Sequence, residues 1–276
     1  MSIQAKIKSA ILDTSGAEAT NNWHQLLDLQ TKMFLPYEVS FYLNSNIWKK
    51  AKSILDVGCG NGSYVSRISK FFPEKSYTAI DVSSELISIA KNELSASNIR
   101  FQQDALETFS EHKSFDVVIM RLVVQHLKDF PSILQQVSYL LKPGGTLLII
   151  EPDLKKFQNW PSTPKFDNLK QHVEIYNTKM ETNRCHLPIL GEIAKKTQNW
   201  SVAEDKVKIS PFTGPFIASN LLHLYQLWID ILEQSQILPI HFDAVRDELI
   251  DWGKQPSAYS QIGIRFLHLK FNDENQ

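Results

Sequence analysis

Only two cysteines, Cys59 and Cys185, occur in the 276 residues. They are too few and too far apart to suggest a disulfide framework or the paired ligands of a zinc site, so no metal is expected and both should be reduced thiols. Charge of one sign is equally scarce. Against 29 Lys and Arg stand 30 Asp and Glu, a formal net charge of −1, which offers no general attraction to polyanions, and no nucleic-acid partner is expected. No apolar run approaches the roughly 20 residues that span a bilayer. The opening MSIQAKIKSAILDTSGAEAT also lacks the apolar stretch of a secretory signal, so a cytoplasmic protein with no membrane partner is the expectation. Repeats and low-complexity blocks are absent. Glycine is sparse too: three of only 10 glycines sit within five residues, at Gly58, Gly60 and Gly62, which marks a place where backbone geometry matters.

What is present is apolar content of 43%, enough in a chain of this length for one large α/β domain with an elaborated cap. Three regions emerge. Residues 1–50 read as an N-terminal helical cap, with Trp23, Leu26, Leu27, Leu29, Phe34, Tyr37, Phe41 and Tyr42 giving aromatic-rich faces. From 51 to 152, short apolar runs alternate with amphipathic stretches. SILDVG, YTAIDV, IRFQQD, FDVVIM and TLLIIEP read as strands, with helices predicted at about 63–72, 84–94 and 130–141. That alternation implies a mostly parallel sheet covered on both faces. Residues 153–276 read as a lid or substrate-binding insertion plus strands that complete the sheet. Phe157, Trp160, Pro161 and Pro164 suggest an irregular loop; helices are predicted at 166–182 and 217–235, and VAEDKVKI and IGIRFLHLKF read as strands.

The chemistry begins where SILDVG runs into Gly58, Cys59, Gly60, Asn61 and Gly62. Small residues allow a sharp turn and close approach to a ligand, and the helix starting near Ser63 presents free N–H groups to a carboxylate or phosphate. A glycine turn with no ligand would have the same composition. The spacing differs from a dinucleotide fingerprint, because Ser63 occupies the place of its third glycine. Asp56, just upstream inside the strand, would repel a pyrophosphate and welcome a protonated amine. Asp81 ends the second strand, where a carboxylate can accept from both hydroxyls of a ribose. Asp104 and Ala105 close the third, where a carboxylate can accept from an adenine amino group while backbone reads the ring edge. Each acid alone could be a solvated surface residue, but acids at successive strand ends converge on the crevice where open α/β sheets bind ligands.

In order and spacing, ILDVGCGNG, YTAIDVS, FQQDALETF, FDVVIMRLVVQHLKD and LLKPGGTLLIIEPD resemble the successive motifs of class I S-adenosylmethionine-dependent methyltransferases over about a hundred residues. The resemblance implies a seven-stranded, mostly parallel Rossmann-like α/β sheet and S-adenosylmethionine as cofactor, leaving S-adenosylhomocysteine as product. It places the methionine portion at 56–62, the ribose at Asp81 with Val82 beside it, and the adenine at Asp104 and Ala105. Arg121, after the fourth strand, would lie at the methionine end and reach a carboxylate, or else form a surface ion pair. His126 could take a proton from a nucleophile or serve structure only, and Glu151 could bind substrate or cap a turn. Tyr37 and the other aromatics of the cap could line an acceptor pocket or simply pack.

Methyl transfer from a sulfonium chiefly needs alignment and exclusion of water, which suits a sequence showing a cofactor site but no catalytic dyad. The expected activity is methylation of a small-molecule acceptor at O, N or C, by a monomer or homodimer. The rivals are a protein or tRNA methyltransferase, a non-catalytic protein keeping the fold, and an NAD-dependent oxidoreductase, the last disfavoured by the glycine spacing and Asp56.

Overall fold

The computed structural model describes residues 17–94, 96–181, 187–236, 238 and 240–272; residues 1–16 of the expected cap, and Cys185, lie outside them. Five strands, β1 (Ser53–Val57), β2 (Ser76–Asp81), β3 (Ile99–Gln103), β4 (Phe115–Arg121) and β5 (Leu141–Trp160), pair in parallel in the order 3-2-1-4-5. The sheet is completed by β7 (Tyr259–Phe271), antiparallel between β5 and β6 (Trp200–Thr213), giving seven strands ordered 3-2-1-4-5-7-6.

Alternate residues of the central strands feed two cores, as a two-residue period dictates. Ile54, Val117, Ile119, Leu148 and Ile150 face one side. There they meet α1 (Ala17–Asn44), α3 (Ser63–Phe71), α4 (Ser84–Glu93) and α8 (Pro215–Gln234). Leu55, Val118, Met120, Leu147 and Ile149 face the other side, against α5 (Phe130–Leu140) and α7 (Leu190–Lys196). The short α2 (Asn46–Lys50) joins α1 to β1, and α6 (Pro164–Lys179) and α9 (Asp243–Gly253) pack near α8. Helix α3 is capped by Gly62, α4 by Ser83 and α5 by Asp129, so turn chemistry sets where each crossover helix begins.

The loop expected after Pro152 is instead strand. β5 continues to Trp160, and its ladder with β7 resumes at Gln158↔Gln261 after a register shift between Asp153 and Gln158. The prolines and aromatics that suggested irregularity belong to this projecting edge and its packing. Phe157 meets Phe166 edge-on at 5.8 Å and Tyr225 at 5.5 Å, while Phe166 meets Trp228 at 5.9 Å. Among the described residues, no helix is long and apolar enough to cross a membrane, and no group of three or more His, Cys, Asp or Glu could hold a metal ion.

Candidate cofactor site

Gly58, Gly60 and Gly62 all have left-handed backbones, with φ of +70°, +57° and +74°, a region that side chains with a Cβ enter only at a cost. The space above them is taken by protein as well. A Cβ on Gly58 would stand 2.5 Å from Val123, one on Gly60 2.7 Å from Leu27, and one on Gly62 2.6 Å from the Phe101 ring. The glycines therefore serve the turn and its packing, rather than approach to a ligand alone.

The loop is held from two sides. Gly58 and Cys59 donate their N–H groups to the Ile80 carbonyl at 2.8 and 3.0 Å. Gly60 donates to Asp81 Oδ2 at 2.8 Å, while Asp81 Oδ1 accepts from the Ser83 amide at 2.9 Å. Asp81 thus ties the glycine loop to the end of β2, where the sequence places the ribose. Asn61 is buried; its Oδ1 caps the Ser63 amide at 3.1 Å, and its Nδ2 donates to the His24 carbonyl at 3.1 Å. Cys59 is buried with its thiol pushed up by desolvation, as suits an inert packing group.

Asp104 and Ala105 close β3 as expected, but they engage one another. The Ala105 amide donates to Asp104 Oδ1 at 2.8 Å, and Gln102 Nε2 donates to Oδ2 at 3.0 Å. The hydroxyl of Thr108 is a further donor, and it holds the carboxyl below its usual range. The amide expected to read a ring edge is therefore satisfied within its own turn. Val82, next to Asp81, is 47% exposed.

Beneath the glycine loop lies a buried polar cluster. Asp56, 3% exposed on β1, and Arg121, 8% exposed at the end of neighbouring β4, point to the same face, since Asp56 pairs in register with Ile119 two residues before Arg121. Arg121 forms no surface ion pair. Its Nε donates to Glu38 Oε1 and Oε2 of α1 at 3.0 and 3.1 Å, and its guanidinium carbon lies 4.7 Å from the centre of the Tyr64 ring. Burial pulls the guanidinium pKa down, but the Glu38 carboxylate holds it above its ordinary value. Tyr64 in turn shares a hydrogen bond with Tyr42 of α1. Among the described residues, two buried atoms of this cluster have no hydrogen-bond partner: Asp56 Oδ2, an acceptor, and Arg121 Nη2, a donor. Desolvation raises the Asp56 carboxyl to about 7.

Glu151 does not end its strand, since β5 runs on to Trp160, but it follows Ile150, the last β5 residue paired with β4, and so sits beside the turn that carries His126. Glu151, 1% exposed, accepts the Gln125 amide at 3.2 Å, and His126 is the next residue, half-buried in the 3₁₀ turn Val124–His126. Tyr37 is engaged elsewhere: its hydroxyl donates to the Pro211 carbonyl of β6 at 2.8 Å and its ring meets Phe212 edge-on at 5.6 Å. Phe41 stacks on Phe266 at 4.3 Å. These cap aromatics pack. Sequence reasoning missed Glu38, Tyr42, Tyr64 and His24. A signal did exist for Glu38, the only acidic residue between Asp28 and Asp56, set in the otherwise apolar stretch MFLPYEVSFY.

A family model described as a methyltransferase domain matches residues 48–207, more than half of the chain. The chain belongs to this methyltransferase family. Its members are class I S-adenosylmethionine-dependent enzymes with the Rossmann-like fold. Curated relatives include the malonyl-[acyl-carrier protein] O-methyltransferase of Bacillus anthracis, 28% identical over 124 residues covering 45% of each chain. Methyltransferase str2 of Strobilurus tenacellus is 38% identical over 104 residues, 37% of this chain and 36% of its own. The ubiquinone biosynthesis O-methyltransferase of Coxiella burnetii is 32% identical over 109 residues, 38% and 46% of the two chains. The chain therefore spans about half the length, or less, of the curated relatives it matches. Among solved structures, the plantazolicin methyltransferase BpumL aligns over 98% of this chain and 95% of its own at 20% identity and a TM-score of 0.50. The [4+2]-cyclase SpnF aligns over 86% and 81% at 15% identity and a TM-score of 0.51. Likeness at such identities establishes the fold, and chemistry must be argued from the site.

Proposed function

We propose that this protein transfers a methyl group from S-adenosylmethionine to an oxygen of a small acceptor, with S-adenosylhomocysteine as product. The observation that carries the reading is the pair of orphaned buried atoms, Asp56 Oδ2 and Arg121 Nη2. A buried acceptor and a buried donor left unmade each cost about 1–3 kcal/mol, more for charged groups. An ammonium and a carboxylate on one carbon would satisfy both. The methionine end of S-adenosylmethionine carries that pair, whereas a dinucleotide pyrophosphate would meet the Asp56 carboxylate unfavourably. Asp81, already bridging the glycine loop to β2, would receive the ribose hydroxyls, and the crevice beside Asp104 the adenine.

When bound, the cofactor supplies an electrophilic methyl group whose bond to sulfur breaks as the new bond to the acceptor oxygen forms, the electron pair leaving with a neutral thioether. The chain's own task is to align the acceptor, exclude water and remove its proton. His126, just past β4, and Glu151, just past the last β4–β5 pair, stand where that proton would leave. Glu151, held by the Gln125 amide, fixes the turn that carries His126, so we assign His126 as the base and Glu151 to orienting the turn or the acceptor. The names of the curated relatives support oxygen as the methylated atom and suggest that acids, phenols and carrier-bound acyl groups be screened first.

Calorimetry with S-adenosylmethionine, S-adenosylhomocysteine and NADH tests the reading directly. Saturable binding of the first two alone supports it, and tight NADH binding without them would overturn it. Once an acceptor is found, His126→Ala should leave the Kd for S-adenosylhomocysteine unchanged and lower kcat by about 10²–10⁴, the usual contribution of a positioned base. Undiminished turnover would return His126 to a structural role.

A further inference from the structure

Arg121 would be a poor recognition group if its guanidinium could rotate, and two residues of α1 determine that it does not. Glu38, 1% exposed, grips Nε with both carboxylate oxygens at 3.0 and 3.1 Å. The face of the guanidinium is covered by the Tyr64 ring at 4.7 Å, and Tyr64 is hydrogen-bonded to Tyr42, one helical turn after Glu38. With one edge and one face fixed, Nη2 is left buried and without a partner among the described residues. A simple ion pair would consume the guanidinium through its two-nitrogen fork. Here the contact runs through Nε alone and leaves a terminal nitrogen available.

We propose that Glu38 is a positioning residue of the cofactor site: by holding Arg121 through Nε, it aims Nη2 at the carboxylate of the bound methionine moiety. The assignment rests on the function proposed above and adds a residue from outside every motif that the sequence displayed. It also gives α1 a second duty. The helix that packs on the sheet through Phe34 and Phe41 supplies, from its Glu38–Tyr42 face, the hold on the group that selects the cofactor's amino-acid end. A neutral residue at position 38 would leave Arg121 charged and buried but free to turn, so selection for the carboxylate would fall more than affinity for the nucleoside.

The test compares S-adenosylhomocysteine with its decarboxylated analogue by calorimetry on the full chain. The wild-type protein should prefer the carboxylate-bearing ligand by about tenfold or more, the worth of one charge-assisted hydrogen bond. Glu38→Gln should erase most of that preference while leaving the affinity for the decarboxylated analogue within about twofold. Glu38→Asp keeps the charge but withdraws it by one methylene; it preserves the ion balance needed for folding and should show a partial loss of the same preference. Thermal unfolding of both variants establishes that the fold is intact. If a folded variant weakens both ligands equally, or keeps the wild-type preference, Glu38 is structural only and the inference fails. If the wild-type protein binds neither ligand, the proposed function fails first.

Discussion

At the scale of single residues, Asp56 sets the terms. Its carboxyl is raised to about 7 from an ordinary 3.8, chiefly by desolvation. Below about pH 7 the folded protein holds it neutral, and a neutral carboxyl accepts weakly from an ammonium. Affinity for S-adenosylmethionine should therefore rise as pH increases from 6 to 8, and Asp56→Asn should flatten that rise; calorimetry across the range reads both. Stability runs the other way. Between 3.8 and about 7 the folded state keeps a proton that the unfolded chain releases, so this group's contribution to stability declines as pH rises through that window. Asp56→Asn should accordingly raise Tm at pH 8 while weakening binding, and a lowered Tm would show that the carboxylate is satisfied by protein alone. Asp81 presents a different case, because its two oxygens already accept Gly60 and Ser83 amides. Asp81→Ala should weaken cofactor binding by about 1.5–3 kcal/mol for each charged hydrogen bond lost to the ribose and loosen the loop besides. Unchanged affinity would refute the ribose assignment. Both residues were legible in the sequence because they sit at strand ends inside motifs. Glu38 was not, because its partner Arg121 is 83 positions away and helical periodicity does not report which strand end a face will meet.

At the scale of elements, α1 is where sequence and structure diverge most. Its helical pattern is plain in the sequence, and its aromatics read as lining an acceptor pocket or simply packing, but nothing in the sequence points to the glycine loop. The structure shows it bound along the cofactor loop. Leu27 covers Gly60, His24 accepts from Asn61, and Asp28 accepts from the Ser63 hydroxyl and the Arg67 guanidinium, both at 2.8 Å. The Asp28 carboxyl is brought down to about 2, its bonds to Lys32, Arg67 and Ser63 outweighing the upward pull of burial. A carboxyl lowered in the fold stabilises it above the unfolded value of 3.8 and loses that effect as pH falls towards 2. Because the side chain is 28% exposed, solvent screening keeps the gain to about 1 kcal/mol or less. Asp28→Asn should thus lower Tm by a few degrees at pH 7 and by much less near pH 2, as thermal melts at the two pH values would show. The tail of β5 is the second divergence. Prolines and large aromatics after Pro152 read locally as a loop, but the partner strand β7 supplies a ladder that overrides the local signal.

At the scale of the whole molecule, the parallel half of the sheet could be read from the alternation of apolar runs and amphipathic stretches, because each crossover is local. The order 3-2-1-4-5 then follows from where the glycine loop and strand-end acids must converge. The antiparallel half could not be ordered in the same way. Strand composition identifies 262–271 as sheet, but its insertion between β5 and β6 is a long-range choice made by two apolar faces seeking cover. That placement has a consequence in time. A ribosome delivers β6 well before β7, and among the described residues β7 is the only strand that pairs with β6, so residues 200–213 must wait without a strand partner while α8 and α9 are made. Closure of this edge is therefore among the last events of synthesis. A nascent chain halted before residue 259 should be cut readily by protease within 200–213, and one released after 271 should resist. Early resistance would mean that β6 finds another shelter while it waits.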